Sequence, residues 1–212
     1  MKKNNKYYDY DIEIEEILID NGMIEECFRL KDLQARKLFL NDEVTLNSVE
    51  DVVKHIIRYN AEDREVPNEE RQPIYLYVNS IGGNVYAGFH LIDIIKNSQT
   101  PVYTVNMGIW FSMGFVIGLS GHKRFSTKHA KFLWHDGMTG GMNSSSKFRD
   151  TVEFQNRQED EIRDFILTNS NITPELYDSK SRIEWYMFAD EAKELGVVDY
   201  IVGEDCAIDE IV

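Results

Sequence analysis

At 212 residues the chain is long enough for one domain with a substantial core, with room for an appended segment. A formal charge of −14 excludes nucleic acid and an anionic membrane as principal partners, because both would repel such a surface. The two cysteines, Cys27 and Cys206, lie near opposite ends without metal-ligand spacing, and the sequence has neither a signal-peptide-like apolar stretch nor a membrane-length one. A soluble protein of a reducing compartment, the cytoplasm, is the expectation.

Residues 1–32 read as an acidic N-terminal arm, partly ordered, with Asp9, Asp11, Glu13, Glu15, Glu16 and Asp20 set among Tyr7, Tyr8, Tyr10 and isoleucines. Residues 35–40 have the composition of a first strand, and Asn41-Asp42 that of a turn. Ser48 followed by Asp51 resembles a capping box, and Val52, Val53, Ile56 and Ile57 predict a helix over about 49–60. Ile74-Tyr-Leu-Tyr-Val78 is a strand that runs into Asn79-Ser-Ile-Gly-Gly-Asn84, and Val85, Phe89, Ile92 and Ile95 then mark a helix. With the strand at 102–106, this strand–helix–strand order predicts a parallel α/β sheet with right-handed crossovers. The Gly82-Gly83 pair lacks the Gly-Lys-Ser/Thr of a nucleotide loop, so its exposed backbone N–H groups point to a substrate edge or an oxyanion donor.

Gly108-Ile-Trp-Phe-Ser-Met-Gly114 follows, and an apolar run to Leu119 predicts a buried helix. Ser112 sits where such a helix starts, a position at which serine ordinarily serves as N-cap. A serine presented at a strand-to-helix turn also suits nucleophilic acyl transfer. The strict Gly-x-Ser-x-Gly elbow is absent, because Trp110 occupies the first glycine position. Strands are expected at 123–127 and 131–135, the second ending in His135, and Asp136 to Ser144 reads as a mobile glycine-rich loop. A helix over about 145–167 is apolar at both ends and polar on every face in its middle, a pattern that predicts protrusion from the globular body and burial of its ends elsewhere. A short helix near 175–177, a helix over 189–195 stopped by Gly196, a strand over 197–202 and an acidic tail over 203–212 complete the chain.

Serine hydrolysis needs a base for the hydroxyl proton, a group that holds that base, and donors for the oxyanion. His135 is the candidate base, because one strand pair separates it from Ser112 and can bring both side chains to one edge of a sheet. His55, His90, His122 and His129 lie on polar helix faces or in charged connections.

These residues carry a resemblance. Asn79-Ser-Ile-Gly-Gly-Asn-Val-Tyr-Ala-Gly88, Gly108 to Gly114, Gly121-His-Lys-Arg-Phe125, Trp134-His135 and Ala189-Asp-Glu-Ala-Lys-Glu-Leu-Gly-Val-Val-Asp199 resemble, in order and spacing, the proteolytic subunits of the Clp protease, the ClpP family. The resemblance spans about 33–202. It implies an α/β, ClpP/crotonase-like fold of repeated ββα units with a protruding handle helix, here 145–167. It also implies a serine endopeptidase with a Ser-His-Asp triad and no cofactor or metal. Its subunits would self-associate into heptameric rings stacked as a tetradecamer, and an AAA+ unfoldase would deliver polypeptide substrates in protein quality control. Ser112 matches the nucleophile, His135 the general base, and Gly83 and Met113 the two N–H donors of the oxyanion hole. Residues 84–86 match the segment that pairs with the substrate backbone.

The sequence departs from the family at several positions. Trp110-Phe111 stand where the family has two alanines, and Ile81 replaces a proline. The family's acid is an aspartate, and an ungapped count back from Ala189 puts Glu184 at its position; Asp178 would require a gap. Two alternatives to an active peptidase follow: a catalytically weak or inactive ClpP-like subunit with an assembly role, and a crotonase-type acyl-CoA enzyme. Against the second, crotonases need no serine paired with a histidine.

Overall fold

The computed structural model describes residues 12–137 and 144–212. Residues 1–11 of the arm and 138–143 of the glycine-rich loop lie outside the described residues. The rest of the arm forms α1 (Ile12–Asp20) and α2 (Ile24–Gln34), and α2 buries Cys27 and Leu33, the latter in the main core.

After β1 (Lys37–Leu40), α3 (Leu46–Glu62) begins earlier than the sequence suggested. Thr45 is its N-cap: the Thr45 hydroxyl accepts from the Ser48 N–H at 3.0 Å, and Ser48 Oγ accepts from the Thr45 N–H at 2.9 Å. Ser48 thus closes a capping box rather than opening one with Asp51, because an extended threonine one turn earlier offers its hydroxyl to the same free N–H groups. Val49, Val52, Val53, Ile56 and Tyr59 then recur on one stripe and are all buried.

The chain continues through β2 (Ile74–Ser80), α4 (Val85–Asn97), β3 (Val102–Phe111), α5 (Met113–Leu119), β4 (Lys123–Thr127) and β5 (Lys131–Trp134). Next come α6 (Ser145–Thr168), α7 (Pro174–Lys180), β6 (Trp185–Phe188), α8 (Ala189–Glu194) and β7 (Tyr200–Val202). The strands β1-β2-β3-β4-β7 lie side by side, all parallel, as helical crossovers require. The result is a mixed α/β fold with a mainly parallel sheet, as expected. The antiparallel β5–β6 pair is the addition, since the sequence reading had no strand at 185–188.

Side chains alternate across this sheet. Ile74, Leu76, Val78, Val102 and Trp110 face the helices and join the main core. On the opposite face Tyr77, Val105 and Phe125 form a smaller cluster with Ile211, which is only 2% exposed in the C-terminal 3-10 turn Ile208–Ile211.

The strand β3 decides where the site lies. Its first half pairs with β4 (Tyr103↔Lys123 to Asn106↔Ser126), and its second half pairs with β5 (Ile109↔Lys131 to Phe111↔Leu133). Asn106 sits at the change of partner: its Nδ2 donates to the Lys131 carbonyl, and its Oδ1 accepts from the Gly108 N–H. Splitting one strand between two neighbours puts the end of β5 beside the end of β3.

Helix α6 anchors its C-terminal end in the core through Ile162 and Ile166, while Phe148, Val152 and Phe154 are exposed on the single chain. Among the described residues no helix is long and apolar enough to cross a membrane.

Candidate active site

Ser112 connects β3 to α5 with φ 52° and ψ −121°. A positive φ in a residue with a Cβ is a strained conformation that must be held by its surroundings. Three contacts hold it: the Ser112 N–H donates to the Leu133 carbonyl of β5 at 2.9 Å, and the Ser112 carbonyl accepts from the N–H groups of Phe115 and Val116. Its side chain makes no capping hydrogen bond, so the ordinary N-cap role is not the one it plays.

The elbow geometry forms although Trp110 replaces the first glycine of the usual motif. Trp110 points to the helix side of the sheet, fully buried, where its indole N–H donates to the Val78 carbonyl at 3.1 Å and its ring meets Phe132 edge-on. Gly118 makes the room. A Cβ there would lie 2.4 Å from the indole ring, inside van der Waals contact. The tryptophan is thus a core residue and does not enter the space in front of Ser112.

His135 follows β5, and Glu184 precedes β6. These strands are antiparallel with Trp134 opposite Trp185, so one step further in the same register puts His135 opposite Glu184. The contact is made: His135 Nδ1 lies 3.0 Å from Glu184 Oε1. With Nδ1 engaged, Nε2 is the nitrogen left to meet a hydroxyl. Asp178, the other carboxylate considered, is held elsewhere, in a two-point contact with the Arg163 guanidinium of α6 at 3.1 and 3.2 Å. Glu184 is 55% exposed at its side chain, so its pairing with His135 operates in a well-solvated setting.

The glycine turn after β2 lies against Ser112. The Val44 N–H donates to the Gly82 carbonyl, the Asn84 N–H donates to the Val44 carbonyl, and the Gly82 N–H donates to Ser80 Oγ. Neighbours on both sides are thereby occupied, and the Gly83 N–H is the one of the three that finds no acceptor among the described residues. The Met113 N–H is equally free, as expected of the first residue of a helix. Gly82, which sequence reasoning passed over in favour of Gly83, has the more demanding position. Its φ is +95°, and a Cβ there would sit 2.6 Å from Ser112 Cβ and 2.9 Å from the Met113 nitrogen. Any side chain at 82 would fill the space into which Ser112 and the Met113 N–H open. The signal was available in the sequence as the first glycine of the pair, but nothing local says that this glycine faces residues thirty positions away.

A hydroxyl on a strained strand-to-helix turn, a histidine held by a carboxylate at the end of the neighbouring strand, and free backbone donors are the parts that a serine hydrolase site on an α/β sheet requires. Comparison with known proteins narrows the class. Residues 25–205 match the family model of the Clp protease, and the chain belongs to that family. It is 32% identical over 187 residues to the ATP-dependent Clp protease proteolytic subunit 1 of Chlamydia abortus, covering 84% of this chain and 92% of that protein. It is 25% identical over 180 residues to the proteolytic subunit 2 of Treponema pallidum, covering 84% of this chain and 87% of that one. A proteolytic subunit 1 of Prochlorococcus marinus is 26% identical over 190 residues, covering 88% and 94%. No group of His, Cys, Asp and Glu among the described residues is arranged to hold a metal ion.

Proposed function

We propose that the chain is a serine endopeptidase, the proteolytic subunit of a Clp-type chambered protease. Ser112 Oγ is the nucleophile, His135 Nε2 takes its proton, and Glu184 holds the imidazole in the productive tautomer through Nδ1. The N–H groups of Gly83 and Met113 receive the oxyanion as the scissile carbonyl becomes tetrahedral. His135 then returns the proton to the leaving amine, and water cleaves the acyl-Ser112 ester by the same route. None of these steps calls for a cofactor. The observation that carries the reading is the His135–Glu184 contact at the end of the strand whose Leu133 carbonyl fixes the Ser112 backbone.

The subunits assemble into heptameric rings stacked as a tetradecamer in the cytoplasm, fed by an AAA+ unfoldase. Three exposed apolar side chains on α6, Phe148, Val152 and Phe154, support self-association, because a lone helix would leave them in water. The domain from 33 to 202 carries the chemistry, and the arm over 1–32 modulates unfoldase docking or entry. Deleting residues 1–26 would leave peptide hydrolysis intact and change protein degradation; unchanged degradation of both would refute that role.

Labelling with a small serine-directed phosphonate, read by mass spectrometry, tests the central claim. The adduct is expected on Ser112 and is lost in His135→Ala. A folded, assembled protein that takes no label would instead be the catalytically inactive subunit, a reading that the solvent-exposed Glu184 in place of the family's aspartate favours.

A further inference from the structure

Leu133, Trp134 and His135 are consecutive, and each meets the candidate site in a different way. The Leu133 carbonyl accepts the Ser112 N–H, and His135 meets Glu184. Side chains alternate along the strand, so Trp134, between them, turns into the core. There its ring lies between two others: Phe115 of α5, with centroids 6.0 Å apart and planes at 36°, and Tyr177 of α7, with centroids 6.2 Å apart and planes at 35°. Phe115 is tied to the nucleophile in its own right, because its N–H donates to the Ser112 carbonyl at 3.0 Å. Across the β5–β6 pair Trp134 stands opposite Trp185, the residue after Glu184, and both are buried. One indole thus packs against the helix that Ser112 starts and faces, across the ladder, the residue next to the carboxylate, while its own neighbour in the chain is the base.

We infer that Trp134 is a positioning residue of the peptidase: wedged between Phe115 and Tyr177, and paired with Trp185, it fixes the last rung of the β5–β6 ladder and so holds His135 against Glu184. The inference rests on the peptidase reading above. The need for such a residue follows from exposure. The Glu184 side chain is 55% exposed and that of His135 27%, and a contact in that setting contributes little to holding either group in place. Orientation must therefore come from the buried side of the ladder, where close packing resists displacement. The tryptophan also carries a cost, because its indole N–H is buried without a hydrogen bond of ordinary geometry among the described residues. Burial pushes the Tyr177 phenol above its ordinary range, and the nearby indole opposes that push without closing such a bond. A leucine would fill part of the space with no orphaned donor, so what the indole supplies is its reach from α5 to α7.

The test uses the full chain, an internally quenched peptide and the serine-directed phosphonate. Trp134→Leu is expected to lower kcat by about ten- to a hundredfold, the scale of loss that a misplacement of about 1 Å produces, with KM within about twofold of wild type. Trp134→Phe, which keeps a ring between Phe115 and Tyr177, is expected to recover kcat to within about threefold of wild type. Because Trp134 acts through the His135–Glu184 contact, its loss overlaps with that of Glu184→Gln, and the double variant is expected to be no more than about threefold slower than the slower single one. Should Trp134→Leu fail to fold, Tyr177→Leu frees the indole on one side only and is expected to show the same KM-neutral loss and the same overlap. Wild-type kcat in the folded variants, a phenylalanine variant as slow as the leucine one, or losses that multiply in the double variant overturn the positioning role while Ser112 of wild type still takes the phosphonate. A folded wild type that neither takes the label nor cleaves the peptide overturns the peptidase reading and the role of Trp134 with it.

Discussion

His135 and Glu184 meet at 3.0 Å because they continue, by one residue each, the antiparallel register that pairs Trp134 with Trp185. The contact is set by backbone pairing, so the carboxylate position is firmly specified even though the glutamate side chain is largely in solvent. This gives the first prediction. Glu184→Gln lowers kcat on a peptide substrate by about a hundredfold, less than the ~10⁴-fold loss seen for a buried triad acid, because solvent screens part of the interaction. Asp178→Asn, which breaks only the contact with Arg163, leaves kcat within about twofold. Wild-type turnover in Glu184→Gln would remove Glu184 from the triad.

Gly82→Ala combines a backbone penalty with a steric one. The φ of +95° is strained for alanine, and the new methyl would lie 2.6 Å from Ser112 Cβ and 2.8 Å from the Phe111 carbonyl oxygen. Peptide hydrolysis is expected to fall by about a hundredfold or more, and stability by about 1–3 kcal/mol, read by denaturant unfolding. Full activity would mean that the space in front of Ser112 is not where substrate binds.

Trp110 and Phe111 are neighbours with opposite fates, which predicts a sharp contrast in stability. Trp110→Ala empties a fully buried site and leaves the Val78 carbonyl without its donor, costing about 3–5 kcal/mol. Phe111→Ala, on the half-exposed face, costs about 1 kcal/mol. Urea midpoints of the two variants decide it: equal losses would contradict the placement of Trp110.

A buried carboxylate pair at the end of α3 predicts opposite pH responses. Burial raises the Glu62 carboxyl above its ordinary range, with Arg36 opposing, and neither Glu62 oxygen has a hydrogen-bond partner among the described residues. A group raised on folding gives its full stability below its unfolded pKa, near 4.5, and loses it as pH rises through the folded value. For Asp63, burial pushes upward too, but hydrogen bonds from Arg36 and Thr100 outweigh it and hold the carboxyl below its ordinary range. Its contribution is present above about pH 3.8 and is lost as pH falls through the lower folded value. Glu62→Gln is therefore expected to be more stable than wild type at pH 7, with the gain shrinking toward pH 4. Asp63→Asn loses about 3 kcal/mol at pH 7, because it strips the buried Arg36, itself at φ 58°, of its partner. Unfolding curves at the two pH values check both signs.

Much of this molecule was legible in one dimension. Apolar periodicity located α3, α4 and α5, the β-branched and aromatic runs located β1, β2 and β4, and the long polar-centred helix stood out as α6. Ser112, His135 and the glycine turn were legible as candidates for chemistry, because hydroxyl, imidazole and bare backbone are distinctive residue types in distinctive settings. The elbow was harder to read, since Trp110 broke its motif, and only the packing of the indole against Gly118 shows why the break is harmless. The strand β6 was missed for a similar reason: Trp185-Tyr-Met-Phe188 is short, and its alternate burial exists only once β5 lies beside it.

The local pattern of side chains thus determined which segments are helices and strands and which residue types could do chemistry. It did so because periodicity and turn chemistry act over a few residues. What only the tertiary structure decided were the pairings: β3 dividing itself between β4 and β5, Glu184 rather than Asp178 reaching His135, Gly82 abutting Ser112, and Trp110 turned into the core while Phe111 faces out. Each depends on strand register between segments far apart in the chain. A shift of one residue there would reverse every side chain, and nothing within a single segment encodes that choice.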